Sequence, residues 1–122
     1  MSVEDGCSAA SGAFAALSTD ELLRPDWRSN PYIRNFLERN RPGSRATHGP
    51  LLLVGGGNDV LFTESAGQKI ARRLCAAGAR LQRKTYPGLG HDPVVYGSLK
   101  DQMAWIADRF AGKPAPNNCP AG

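Results

Sequence analysis

Residues 51–59, which read LLLVGGGND, decide the fold class of this 122-residue chain. The first four side chains are all apolar, and a strand that is apolar on every side chain is typical of a parallel sheet covered on both faces. The glycine run Gly55–Gly57 then ends the strand and leads to Asp59. We therefore expect a buried parallel strand over Leu51–Val54, with a carboxylate just beyond its carboxyl end.

A helix is expected to follow this strand. Thr63 is a good N-cap, and Gly78 is a typical residue just past a helix that runs to Ala77. The inner stripe of this helix would consist of small and aliphatic residues, namely Ala66, Ile70, Leu74 and Ala77. Its length and apolar spacing suit a helix that packs on one face of a parallel sheet.

The second half of the unit repeats the order of strand and helix. Residues 80–86 alternate less cleanly than the first strand but are expected to form a second strand, and the loop over residues 87–90 leads to His91. A last helix is expected over residues 97–110. Its apolar residues recur at spacings of four, three and four: Leu99, Met103, Ile106 and Phe110. The fold class is therefore α/β, with a right-handed parallel strand–helix–strand–helix unit.

Two short helices are expected ahead of this unit, as a lid or surface layer. Residues 18–21 form a capping box, and the helix they open ends before Pro25. Asn30 and Pro31 open a second helix. The chain accordingly divides into an irregular and short-helical segment at 1–48, the strand–helix–strand–helix unit at 49–112 and a Pro-rich tail at 113–122.

Two parallel strands leave both outer edges of their sheet exposed, and such a sheet does not stand alone. Further strands are expected from another chain, or a cover from the N-terminal residues. Self-association through the exposed sheet edges is a further expectation.

Composition excludes several classes of function. The net charge is +4, but the arginines are interleaved with acids, so we expect no nucleic-acid partner. No apolar run approaches the ~20 residues of a transmembrane helix, and the acidic N-terminus lacks the features of a signal peptide. The glycine run matches neither a phosphate loop nor a dinucleotide fingerprint, and the cysteine spacing matches no metal motif. We expect no cofactor and no metal.

The three cysteines are Cys7, Cys75 and Cys119. Cys119 lies in the Pro-rich tail, where a buried structural role is not expected, so a tether to Cys75 is one interpretation. Closing that loop would contribute about 3–4 kcal/mol. The other interpretation is three free thiols in a reducing compartment.

Asp59 and His91 each follow a strand, at the end of the sheet where open parallel sheets hold their chemistry. Neighbouring strands lie roughly 5 Å apart, so the two side chains are expected within about 4 Å of each other. An Asp that accepts from an imidazole fixes its tautomer and stabilises the imidazolium formed in acyl transfer. The alternatives are that Asp59 only caps a turn and that His91 is a loop residue without a role.

The segment from Leu53 to Asp59, about thirty residues ahead of the sequence YPGLGH at 86–91, resembles the acid and histidine ends of the α/β-hydrolase triad, whose order is Ser, then Asp or Glu, then His. The closer resemblance is to bacterial and fungal secretory lipases, supported by RLCAAG at 73–78 and WIADRFAG at 105–112. The resemblance implies that Asp59 and His91 are catalytic, that Cys75 and Cys119 form a disulfide, that the substrate is an ester or lipid, and that the parent protein is secreted or periplasmic.

The nucleophile elbow of that family, G-x-S-x-G between a strand and a helix, is absent from the sequence. We therefore expect a C-terminal part of a lipase or esterase that is inactive alone. A second hypothesis is a catalytically dead remnant that serves as an interaction module. A third is a stand-alone enzyme that uses Cys7 or Ser8 as its nucleophile.

Overall fold

The computed structural model describes residues 17–120, which fall into two compact units that divide between Asn40 and Arg41. The first unit contains three short helical elements: α1 over Thr19–Leu22, a 3₁₀ turn over Trp27–Ser29 and α2 over Pro31–Arg39. The second contains two strands and three helices: β1 over Leu51–Gly56, α3 over Glu64–Ala76, β2 over Leu81–Tyr86, α4 over His91–Gly97 and α5 over Leu99–Phe110.

The helix starts predicted in the first unit are confirmed. The amide of Ser18 donates to Glu21 Oε2 at 2.7 Å, and Ser18 Oγ accepts from the Glu21 amide at 3.3 Å, which is the expected capping box. Asn30 Oδ1 accepts from the amides of Tyr32 and Ile33 at the start of α2. Most of the apolar side chains of α2 are exposed within the described residues: Tyr32, Phe36 and Leu37.

The predicted parallel pairing is confirmed, so the second unit is a mixed helix and strand structure with a small parallel sheet. β1 pairs with β2 from Leu51 opposite Leu81 to Gly56 opposite Tyr86. The glycine run indicated that the strand ends at Val54, and this expectation is wrong. Gly55 and Gly56 continue the hydrogen-bonded ladder, because glycine can adopt extended backbone as any residue can.

Helix α3 matches its prediction, with Thr63 as N-cap and Gly78 at a φ of 81° after its end. The final helical region differs from expectation. His91 does not lie in a loop but begins the short helix α4, which ends at Gly97, and the last helix is the separate α5. Pro93 lies in the first turn of α4, where its missing amide costs no hydrogen bond.

The core is small and lies between α3 and the sheet. Among the described residues its buried cluster is formed by Leu74, Ala79 and Leu81, the last only 1% exposed, and Val94 and Ala115 are buried outside this cluster. The expectation that β1 is buried on both faces is wrong for the described residues, because the side chains of Leu51–Val54 are only partly buried. The stripe of α5 is likewise exposed instead of packed in the core, as each of its members shows: Leu99 51%, Met103 58%, Ile106 41% and Phe110 90%.

Candidate acid–base site

Asp59 lies three residues beyond β1, in a turn that its own side chain holds in place. Its Oδ1 accepts hydrogen bonds from the amides of Leu61, at 2.9 Å, and Phe62, at 2.8 Å. The residue is 6% exposed. A buried carboxylate bonded in this way cannot rotate freely, so its second oxygen, Oδ2, has a defined direction.

The turn after β1 and the loop after β2 touch each other through their backbones. The amide of Asn58 donates to the carbonyl of Leu89 at 3.0 Å, and that of Gly57 to the carbonyl of Tyr86 at 2.9 Å. A Cβ atom at Gly56 would collide with the carbonyl of Leu89. Glycine at position 56 is therefore required for this close approach, which brings the two candidate residues together.

His91 begins α4, and its Nδ1 lies 3.0 Å from Asp59 Oδ2. This distance confirms the expectation that the carboxylate and the imidazole lie within about 4 Å. The His91 side chain is 50% exposed, whereas that of Asp59 is 3% exposed. The imidazole is thus held on one side by a buried carboxylate and remains open on the other.

The charges of the pair follow from its surroundings. Burial raises the pKa of Asp59, but the amide of Phe62, the His91 ring and the amide of Leu61 together outweigh it and leave the pKa below its usual value of 3.8. The hydrogen bond and the charge of Asp59 raise the pKa of His91 above 6.5, against a smaller effect of burial and with a further contribution from Asp92. An ionised carboxylate only accepts hydrogen bonds, so Nδ1 carries the proton. In the neutral ring, Nε2 then has a free lone pair.

The pH dependence of stability follows from these two directions. Because the pKa of His91 is raised, its contribution to stability is fully present below pH 6.5 and is lost as the pH rises through the raised value. Because the pKa of Asp59 is lowered, its contribution is present above pH 3.8 and is lost as the pH falls through the lowered value. The ion pair therefore stabilises the fold most between these two limits.

We expect the imidazole of His91 to titrate above 6.5 in NMR spectra recorded over a pH series. Replacement of Asp59 with Asn should lower the pKa of His91, because it removes the largest cause of its rise. An unchanged His91 titration in Asp59→Asn would contradict the pairing.

The predicted cysteine pair is also present. Cys75 in α3 and Cys119 in the tail form a disulfide, with Cα atoms 5.4 Å apart. Cys7 and Ser8, the nucleophiles of the third hypothesis, lie outside the described residues. Within residues 17–120, no group of three or more His, Cys, Asp or Glu side chains is arranged to hold a metal ion. No helix in that part of the chain is long and apolar enough to cross a membrane.

Two carboxylates that sequence reasoning missed fasten the helices to opposite faces of the sheet. Glu64 at the start of α3 bonds Arg83, at 2.5 Å, and Thr85 Oγ1, at 3.2 Å. Asp101 in α5 bonds the strand residues of the other face, Lys84 and Tyr86. The alternation of side chains along β2 explains this division.

Tyr86 is the most perturbed group of these contacts. Burial, and then the hydrogen bond and charge of Asp101, raise its pKa to about 12. The phenol therefore remains protonated and donates to Asp101, at 2.6 Å. The signal in the sequence was the polar run at 82–85 within the second predicted strand, because polar residues on the two faces of a strand need partners on the covering helices.

This arrangement is a small parallel sheet with a carboxylate and an imidazole in contact at its carboxyl end, which is compatible with an α/β protein. The chain is similar to the secreted triacylglycerol lipase LIP7 of Malassezia globosa, with 30% identity over 90 residues. The match covers 72% of this chain and 19% of the lipase, so the chain spans about a fifth of that relative's length. No family model matches the chain, and no solved structure matches it at a significant level. The likeness supports a relationship to lipase-type hydrolases at low identity.

Proposed function

We propose that this chain supplies the acid and the base of a serine ester hydrolase of the secretory lipase type, with the α/β-hydrolase fold and a nucleophile contributed from outside residues 17–120. The observation that carries the proposal is the 3.0 Å contact between His91 Nδ1 and Asp59 Oδ2, beside an imidazole that is half exposed. The similarity to a secreted triacylglycerol lipase supports the same class of reaction.

In the proposed reaction, His91 Nε2 accepts the hydroxyl proton of a serine as the serine oxygen attacks the ester carbonyl. Asp59 stabilises the imidazolium that forms. The imidazolium then gives its proton to the leaving alcohol, and an acyl-serine remains. A water molecule then attacks the carbonyl of the acyl-serine while Nε2 accepts its proton. Nε2 returns that proton to the serine oxygen, and the carboxylic acid is released. The substrate class is a carboxylic ester, including the esters of lipids.

The disulfide supports the proposed location of the parent protein. Disulfides persist in oxidising compartments and are rare in the cytosol of most organisms. The Cys75–Cys119 bond therefore favours a secreted or periplasmic protein, in agreement with the secreted relative.

An assay with short p-nitrophenyl esters tests the function. We expect no turnover from the purified chain alone, since an acid and a base without a nucleophile only activate water weakly. Turnover should appear when the chain is expressed together with a nucleophile-bearing remainder of the hydrolase. It should then be lost in His91→Ala and retained in His48→Ala, which replaces the other, exposed histidine of the chain.

Two outcomes would contradict the proposal in different ways. Esterase activity of the chain alone, sensitive to His91→Ala and to a serine-directed phosphonate, would support a stand-alone enzyme and direct attention to Cys7 or Ser8. A correctly assembled complex that remains inactive would support the alternative, a catalytically dead hydrolase remnant that serves as an interaction module. The exposed stripe of α5 is the observation that favours this alternative.

A further inference from the structure

The two outer edges of the sheet differ, and the edge of β2 is closed. Asn118 donates its amide to the Leu81 carbonyl at 2.6 Å, and its Oδ1 accepts from the Arg83 amide at 2.6 Å. Asn117 Oδ1 accepts from the Leu81 amide at 3.2 Å. The disulfide at Cys119 holds this part of the tail in place. The tail thus satisfies backbone groups that a further strand would otherwise bind.

The edge of β1 is open within the described residues. The amides of Leu51 and Gly57 donate to carbonyls at the two ends of β2, so the odd-numbered residues of β1 face that strand. The peptide groups of Leu52 and Val54 therefore point to the other edge. Among residues 17–120, neither amide has a hydrogen-bond partner.

A groove of about 370 Å³ lies beside this open edge, between β1 and α5. Leu52, Val54 and Ile106 line it with apolar side chains, and Trp105 contributes an indole. The indole Nε1–H is buried and has no acceptor among the described residues. Unpaired strand amides beside an apolar groove suit an occupant that brings backbone carbonyls and apolar side chains.

We propose that this edge is the interface between two copies of the chain, which pair their β1 strands antiparallel about a two-fold axis perpendicular to the sheet. The four strands then form one continuous sheet. A rotation about this axis maps each face of the sheet onto the same face. The two α5 helices therefore lie on one face of the joined sheet, as neighbours. Their exposed stripes (Leu99, Met103, Ile106 and Phe110) would cover each other.

Charge favours a second copy at β1 and disfavours one at β2. Residues 51–56 contain no ionisable side chain, so two β1 strands meet without repulsion. Two β2 strands would bring Arg83 and Lys84 against their own copies, and like charges on facing strands are destabilising. A two-fold interface of this kind is self-complementary and closes at the dimer. The proposal concerns the chain on its own. A nucleophile-bearing remainder that extends the sheet would use the same edge of β1, so the two partners exclude each other there.

Sedimentation velocity of the purified, oxidised chain over a concentration series tests the interface. We expect a monomer–dimer equilibrium. The double variant Met103→Lys, Ile106→Lys should weaken the dimer by at least about ten-fold, because it places like charges across the interface. Both positions are exposed in the single chain, so the variant should fold. Tyr96→Lys, at the still more exposed Tyr96 of α4, is the control and should leave the equilibrium unchanged.

Hydrogen exchange distinguishes strand pairing from contact between the helices alone. Protection of the Leu52 and Val54 amides should rise with protein concentration, while that of the Leu81 and Arg83 amides should not. A chain that stays monomeric at its highest soluble concentration would overturn the proposal and would suit an edge used by a nucleophile-bearing remainder. Assembly beyond the dimer, or a dimer that leaves Leu52 and Val54 unprotected, would also overturn it.

Discussion

Replacement of Asp59 with Asn is expected to lower kcat of the completed hydrolase by about 10⁴-fold, the loss typical of an Asp-to-Asn change in a Ser-His-Asp triad. Asparagine can keep the acceptor at Oδ1 and so preserve the bonds to the amides of Leu61 and Phe62. Its amide group then replaces Oδ2 opposite His91 Nδ1. An amide donates there, so Nδ1 must accept and the ring proton moves to Nε2. A protonated Nε2 cannot accept the proton of a nucleophile.

The measurement is kcat with a p-nitrophenyl ester for the chain assembled with its nucleophile-bearing remainder. Circular dichroism should match that of the unmutated protein, because the turn keeps its hydrogen bonds. The unfolding midpoint should match it only above the raised pKa of His91, where the ion pair no longer stabilises the fold. Asp59→Ala is the informative companion, since it removes the turn contacts as well and should lower stability in addition to activity. A fall in kcat of less than ten-fold in a correctly folded Asp59→Asn would refute the role assigned to this carboxylate.

Replacement of Cys119 with Ser is expected to lower the free energy of unfolding by about 4 kcal/mol, the chain-entropy value for a loop of this length. The bond joins residues 44 apart and so restricts a large part of the unfolded chain. The loss is large for a unit whose core is limited to Leu74, Ala79, Leu81 and the residues around them. Urea denaturation at equilibrium, with and without a reductant, measures it.

The unmutated chain under reducing conditions should show the same loss of unfolding free energy as Cys119→Ser. The variant itself should lose no further stability on reduction. Cys7→Ser is the control, because the disulfide uses the other two cysteines of the chain. The amides of Leu81 and Arg83 should also exchange faster in Cys119→Ser, as the tail leaves the edge of β2. Equal stability of the oxidised and reduced chains would contradict the prediction.

The features predicted from the sequence are those that neighbouring residues determine. The caps at Ser18, Asn30 and Thr63, and the end of α3 at Gly78, depend on contacts within a few residues. The proximity of the two site residues could also be predicted, because the carboxyl ends of neighbouring parallel strands meet at one end of a sheet. Their catalytic role remains a prediction.

The features that the sequence did not reveal depend on distant contacts. Apolar spacing correctly indicated a helix at α5, but spacing reports only that one stripe is apolar and not what covers it. The charged anchors Glu64 and Asp101 meet residues of β2 that lie 15 to 21 positions away. Helix α4 was not predicted because it contains Pro93 and Gly97. Proline and glycine are common in loops, and they are also common at the start and the end of a helix, which is where these two residues lie.

The disulfide also determines how the second unit would respond to a mechanical load. A force applied at the tail passes through the Cys75–Cys119 bond directly into α3, so the loop between the two cysteines, which lie 44 positions apart, is shielded from extension. Fully extended, that loop would span about 150 Å. His91 lies inside the shielded loop and Asp59 outside it. When the oxidised chain is pulled from its ends, β1 and Asp59 would therefore detach from the rest of the unit. The covalent loop that contains His91 would stay closed.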